Sequence, residues 1–221
     1  MITLITNHKL AEDSDDHIHP DGIYHDNNFN LQFSTEIENY FKRSINVLDL
    51  GCAGGEFVVK MLEKGHLAVG LEGSDHCLNI DQATVQKMGF MPKGHLNWQS
   101  YGNRNLFTCD ITYDYELRID DHLLEFDLIT CFDVMEHFYE ERIDKFCEMV
   151  CKHLKPDGIF LASIAMFPLE KDDVAWHKSL FDTTKWSQIL SKHFRTIKNP
   201  FTYTYRPYHP RDTLIFAGTK L

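Results

Sequence analysis

The chain predicts an α/β fold built on a parallel sheet, and three observations carry that expectation. Residues 47–57 read VLDLGCAGGEF, in which apolar residues lead into Asp49, glycines crowd the next positions, and an apolar run with helical spacing begins. This is the pattern of a strand, a tight turn and a helix start. Residues 67–71 form a second apolar run that ends in Glu72 and Gly73, one short helix further on, so strand, helix and strand make a parallel unit. The alternation continues through the chain, with no repeat and no compositional break across residues 31–221. One domain over 31–221 is expected, preceded by residues 1–30 as a flexible segment or a flap that orders over a site.

Taken in order, residues 6–30 are rich in His, Asp and Asn, and Pro20, Asp21 and Gly22 mark a turn. His8, His17, His19 and His25 have no regular spacing that would converge them, so no metal site is expected there. As a flap, the segment would bring Tyr24, His25 or Asn28 to a substrate pocket. Phe33, Ile37, Tyr40 and Phe41 fall at helical spacing over 31–41, with Ser34 or Thr35 available as a cap, and lead into a strand at 46–50. Phe57, Val58, Met61 and Leu62 stripe a helix over 55–64, closed by Gly65. A further helix is expected from 74 or 75 through 88, ended by Gly89 and Pro92, then a polar passage dotted with aromatics over 94–105.

A short strand at 106–109 precedes Asp110; residues 112–125 allow a helix or only turns; and 126–132 reads as a buried strand ending at Asp133. Ile143, Phe146, Val150 and Leu154 share one side of a helix over 139–154, Lys155–Gly158 reads as a turn, and 159–164 is a fifth strand. Residues 165–180 read as an excursion over the sheet edge. A helix from 183 or 184 to 192 and strands at 194–199 and 214–219 complete the chain, the last two joined by a polar aromatic connection.

The net charge is −11 with no cluster of Lys and Arg, which points to a small substrate rather than nucleic acid. No run approaches the roughly 18 apolar residues of a membrane span, and the opening MITLITNHKLAEDSDD is acidic where a secretory signal needs an apolar core. A soluble, cytoplasmic protein is expected; nothing in the sequence sets its oligomeric state. The six cysteines are dispersed, and Cys147 and Cys151, four apart on a helix, have no second pair to complete a zinc set.

Together these motifs resemble the class I methyltransferases that use S-adenosylmethionine. Residues 49–55, DLGCAGG, match the family's first motif, with Ala53 where a third glycine is common. NAD-binding domains share this device and also place an acid after the second strand. The discrimination comes from CDI at 109–111, FDLITCFDVMEHF at 126–138 and LKPDGIF at 154–160. The resemblance implies a doubly wound, mostly parallel, seven-stranded Rossmann-like sheet whose last strand is antiparallel, and S-adenosyl-L-methionine as cofactor. It places Asp49, Gly51, Cys52, Ala53, Gly55 and Phe57 about the first turn. Glu72 and Gly73 then stand at the ribose, Asp110 and Ile111 at the adenine, and Phe132 and Asp133 at the methionine end. Each has a plainer alternative: the glycines as packing residues, Glu72 as a solvated strand end, Asp110 and Asp133 as caps.

The implied reaction is methyl transfer to a small-molecule acceptor, expected at a hydroxyl oxygen of a sugar, sugar nucleotide or natural-product intermediate. Histidine suits removal of the hydroxyl proton. His137, in the Glu-His pair that some relatives carry after strand 4, and His177, in the excursion, are the candidate bases; His137 could equally brace the following helix. Trp176 could stack on an acceptor or plug a hydrophobic gap, Lys178 could meet an anionic group, and Tyr205 and Arg206 could complete the pocket or lie on the surface. The rivals are an N-methyltransferase acting on a small molecule, protein or RNA, a donor-binding protein without turnover, and an NAD enzyme. No Asn-Pro-Pro-Tyr-like tetrad, which would favour the first, follows residue 132.

Overall fold

Strand β1 (Ile2–Thr6) and the one-turn helix α1 (Asp15–Ile18) precede the main domain, which starts at α2 (Leu31–Phe41). The order is then β2 (Asn46–Leu50), α3 (Glu56–Glu63), β3 (Leu67–Glu72), α4 (Gln82–Met88), α5 (Lys93–Tyr101), β4 (Leu106–Thr108), β5 (Tyr115–Ile119), β6 (His122–Leu123) and β7 (Phe126–Phe132). A single 3-10 turn at Met135–His137 leads to α6 (Glu140–His153), β8 (Leu154–Ala165), the short pair β9 (Glu170–Lys171) and β10 (Val174–Ala175), α7 (Thr183–Leu190), β11 (Phe194–Thr196) and β12 (Thr213–Lys220). The structure is a computed structural model and describes residues 1–20, 31–171, 174–202 and 212–221.

Seven strands form the central sheet in the order β11-β12-β8-β7-β2-β3-β4, parallel except for β12, which runs against both its neighbours. The expected doubly wound sheet with an antiparallel last strand is therefore the fold. β7 is buried along its whole length and β2 along all but its first residue, because helices cover both faces of a parallel sheet. Leu48 and Leu50 join one apolar cluster with Phe146, Phe160 and Trp186, while Val47 joins the other with Phe33, Phe57 and Trp98. Burying such a side chain fully is worth about 1.5–3 kcal/mol, so the two clusters hold β2 at the centre of the domain. The chain leaves β2 toward β3 on one side and returns to β7 on the other, which makes the gap beyond their carboxyl ends the topological switch point. Among the described residues no helix is long and apolar enough to cross a membrane.

Four stretches depart from expectation. Residues 74–80 are turns, and α4 starts only at Gln82, because the Asp81 carboxylate accepts from Thr84 N and sets the helix start there. Residues 93–101 are helical rather than an open passage. Residues 115–123 form a hairpin, and β1 pairs antiparallel with β5 to make a separate three-stranded sheet, so the first residues of the chain are structured. Lys155–Gly158 is a bulge inside β8 rather than a turn before it, since the pairing with β7 steps from Phe126↔Leu154 to Leu128↔Ile159.

Asp127, only 2% exposed within β7, accepts from Arg43 Nη2 at 2.7 Å, Asn46 N at 2.7 Å and Lys155 Nζ at 2.9 Å. Burial pulls its pKa up, but the Arg43, Asn46 and Lys155 hydrogen bonds outweigh it and hold the carboxyl below its usual value. Removing one partner of a buried pair costs about 3–5 kcal/mol; with Arg43 half exposed, we expect Asp127→Ala to cost about 2–3 kcal/mol, read as a lower urea midpoint. Because the folded pKa is depressed, this stabilisation is complete above the unfolded carboxylate pKa and is lost as pH falls through the folded one.

Candidate active site

The turn after β2 takes its shape from three residues in the left-handed region, Gly51 (φ 74°), Ala53 (φ 45°) and Gly55 (φ 77°). A Cβ on Gly51 would lie 2.3 Å from Val134 Cγ2, so the turn after β2 and the turn after β7 touch there and leave no room for a side chain. Alanine at 53 tolerates its conformation at a cost of about 1 kcal/mol. Helix α5 holds the turn from outside: Trp98 Nε1 donates to Ala53 O at 2.8 Å and Asn97 Nδ2 to Gly54 O at 3.0 Å. Sequence reasoning missed this brace, because the buried face of α5 includes polar residues that bond to backbone carbonyls.

Beyond the carboxyl ends of the strands lies a cavity of ≈340 Å³. At one end Gly51, Ala53, Glu72 and Gly73 line it together with Asp110 and Ile111. Phe132 and Asp133 continue the wall toward the opposite end, where Glu136, His137, Trp176, His177 and Lys178 meet. The other predicted donor residues stand behind that wall. Asp49 is buried in β2 and accepts from Thr130 Oγ1 at 2.7 Å. Cys52 packs under Gly70, where a Cβ would come within 2.6 Å of its sulfur. Gly55 sits against Leu106, and Phe57 belongs to the core, its ring 5.7 Å from that of Phe33. Gly55 and Phe57 thus serve packing in this structure. Tyr24, His25, Tyr205 and Arg206 lie outside the described residues.

Glu72 ends β3 almost fully buried, its Oε2 accepting from Ala53 N at 2.8 Å and Oε1 from Ser74 N at 3.1 Å. Burial pushes its carboxyl up to about 7. Asp110 follows β4 and accepts from Thr112 N at 3.0 Å and Thr112 Oγ1 at 2.6 Å through Oδ1, while Oδ2 stands 4.0 Å from Arg142 Nη1. No helix follows Asp110, so it is not the helix cap of the plainer reading; Oδ1 closes the turn after β4 instead. Asp133 takes a left-handed backbone (φ 55°) and is fixed by Ser163, whose Oγ donates to Asp133 Oδ1 at 2.7 Å.

At the other end the His137 and His177 rings meet edge to face, 4.9 Å between centroids. Burial pulls His137 down, but the close Asp16 carboxylate and those of Glu136 and Asp133 carry it above its usual value. His177 is lowered, chiefly by burial, and its Nδ1 lies 2.6 Å from Phe167 O. Two imidazoles whose pKa values are pushed apart can divide proton donation and acceptance. The excursion carrying His177 is pinned by Glu136, whose backbone oxygen accepts from Lys178 N at 2.8 Å and Ser179 N at 3.0 Å.

A strap from the N-terminus, residues 11–17, also lines this cavity and was not separated from the rest of the polar segment by sequence reasoning. Ala11 N donates to Gly73 O at 2.8 Å, and three acids then meet three basic groups of the domain. Asp13 takes both Arg142 nitrogens at 3.1 and 2.6 Å, Asp15 Oδ2 lies 2.5 Å from Lys178 Nζ, and Asp16 Oδ2 lies 2.9 Å from His137 Nδ1. The acid run reads as a solubility feature because no spacing in it names those partners. We expect Asp16→Asn to move the His137 titration to lower pH, since a raising carboxylate is removed; histidine proton shifts measured by NMR across pH 5–9 check this.

A family model described as a methyltransferase domain matches residues 24–201. The chain belongs to this methyltransferase family. A curated relative, the ubiquinone biosynthesis O-methyltransferase of Pasteurella multocida, is 29% identical over 118 residues, 53% of this chain and 45% of that protein. The chain thus spans under half the length of that relative. Among solved structures, the Burkholderia thailandensis 1,6-didemethyltoxoflavin-N1-methyltransferase, which has 1,6-didemethyltoxoflavin and S-adenosylhomocysteine bound, superposes with a TM-score of 0.59 at 17% identity, over 93% of this chain and 84% of its own. The Synechocystis magnesium protoporphyrin IX methyltransferase, with S-adenosylmethionine bound, gives 0.52 at 18% identity over 86% and 76%. At these identities the likeness establishes the fold, the doubly wound methyltransferase sheet with its switch point beyond β2 and β7.

Proposed function

We propose that this member of the family transfers a methyl group from S-adenosylmethionine to a hydroxyl oxygen of a small acceptor such as a sugar, a sugar nucleotide or a natural-product intermediate. The observation that carries this reading is one cavity with two chemically different ends. On the β3–β4 side Glu72 ends one strand and Asp110 stands just beyond its neighbour, which suits a nucleoside with hydroxyl and amino donors. At the other end stand two histidines of opposite pKa tendency.

When bound, the donor supplies an activated methyl on a sulfonium. The chain's own contribution is placement and proton management. Glu72 accepts from the ribose hydroxyls, Asp110 from the adenine amino group, and Asp133 shapes the wall toward the sulfur. His177, neutral near pH 7 because burial lowers it, accepts the hydroxyl proton, while His137 stays protonated against Asp16. Trp176, 6% exposed, excludes water. The absence of a basic cluster and the missing amino-acceptor tetrad support a small oxygen acceptor over RNA or protein.

The test is release of S-adenosylhomocysteine by purified protein offered phenols, nucleoside-diphosphate sugars and quinone precursors beside matched amines. Turnover on hydroxyl acceptors is expected. Turnover confined to amines would replace the oxygen assignment, and donor binding without turnover on any acceptor would favour a non-catalytic role.

A further inference from the structure

Three metal-ligating side chains converge at the acceptor end of the cavity. One ligand atom from each of Glu136, His137 and His177 lies within 4.8 Å of the other two, and all three residues line the cavity. Glu136 is 0% exposed; Oε1 accepts from Ala165 N at 3.1 Å, and Oε2, equally buried, has no hydrogen-bond partner. A buried carboxylate oxygen with nothing donating to it is costly, so the pocket is incomplete until a cation or a donor reaches it. His177 directs Nδ1 at Phe167 O, which makes that nitrogen the N–H donor and leaves Nε2 with its lone pair. Asp16 Oδ2 at 2.9 Å from His137 Nδ1 is close enough to orient that imidazole or to join it as a ligand. His177 is held as ligating histidines are, by a carbonyl on the ring nitrogen that does not face the ion.

We propose that Glu136, His137 and His177 bind a divalent transition-metal ion, as two imidazoles and one carboxylate that leave coordination positions open toward the acceptor. The imidazole pair favours iron, cobalt, nickel or zinc over magnesium or calcium, which prefer oxygen ligands. Ligand atoms at about 2.1 Å from an ion stand roughly 3–3.5 Å apart, so the side chains and the excursion close by about 1–2 Å on binding. No spacing in the sequence announces the set, because Glu136 and His137 follow β7 while His177 arrives from the excursion forty residues on. A second convergence, His17, Asp75 and His76, is more exposed, and His76 Nε2 already lies 2.7 Å from His17 O.

Binding of the ion does not depend on the methyl-transfer reading; its role does. Without the ion His177 takes the acceptor proton as above; with it bound both imidazoles would be neutral ligands, His137 giving up its extra proton. An acceptor oxygen on the ion would then lose its proton to solvent at lower pH, its lone pair forming the new O–CH3 bond as the S–CH3 bond breaks. The electron pair of the broken bond stays on sulfur as a neutral thioether, and the metal keeps its oxidation state.

The test uses chelator-treated full-length protein titrated with Co2+, followed by visible absorption, and with Mn2+ and Zn2+ by calorimetry. One ion per chain is expected, with affinity reduced at least tenfold in Glu136→Gln and His177→Ala and unchanged in His76→Ala. Circular dichroism and S-adenosylmethionine binding report folding; Glu136→Gln, which conserves volume, carries the test if His177→Ala does not fold. No ion bound by the wild type, or binding that survives both substitutions, overturns the proposal. Donor binding that persists while the ion fails to bind removes the metal alone and leaves the methyl-transfer reading standing.

Discussion

Glu72→Ala is expected to weaken S-adenosylmethionine binding by about a hundredfold or more. The carboxylate is placed to accept from two ribose hydroxyls, and a hydrogen bond to a charged group is worth about 1.5–3 kcal/mol, so losing two removes roughly 3 kcal/mol or more. Asp110→Ala, which loses one such bond, should cost about 1–3 kcal/mol. Because burial pushes Glu72 up to about 7, part of the free protein is protonated there at neutral pH. Donor affinity should therefore rise as pH increases from 6 to 8, with proton release visible as a buffer-dependent binding enthalpy. Glu72→Gln should bind weakly and lose that dependence. For the free protein the sign is opposite: with the folded pKa above the unfolded one, the folded state binds more protons in that window, so folding stability falls as pH rises toward 7. Unchanged donor affinity in a folded Glu72→Ala protein would remove Glu72 from the donor site.

His177→Ala and His137→Ala should each lower turnover by about 10²–10⁴-fold, the range general acid–base groups contribute, while donor affinity stays within a few-fold of wild type. The separation is expected because the rings follow β7 and β8, on the other side of β2 from the strands that carry Glu72 and Asp110. Single-turnover rates with saturating donor and a true acceptor check it. Full activity in both variants would mean that the hydroxyl proton leaves without either imidazole.

The sheet was legible because its central strands carry their own signal. Residues 126–132 are buried on both faces and so read as a nearly unbroken apolar run, and the glycines after residue 50 stand where the backbone is left-handed and a side chain has no room. What was not legible depends on partners distant in sequence. β1 is five residues long and is held by β5 more than a hundred residues away. α5 buries His95 and Asn97 by giving each a carbonyl oxygen, Cys77 O and Gly54 O, so its inner face does not look apolar. Lys-Pro-Asp-Gly carries every mark of a turn, yet β7 holds the residues on either side of it in one strand. Among the cavity's lining residues, Glu72, Asp110 and His137 could be named from their motifs and His177 from the excursion, whereas the strap acids Asp13 and Asp16 could not, since Arg142 and His137 become their neighbours only in the fold.

Calorimetric titration of the full-length protein with S-adenosylmethionine, S-adenosylhomocysteine and NAD in parallel bears most directly on the central claim, that the crevice beyond β2, β3 and β7 holds an adenosyl amino acid. Saturable one-to-one binding of the first two, and no heat with NAD, is the predicted result. Binding of NAD instead, or of none of the three by folded protein, would contradict it.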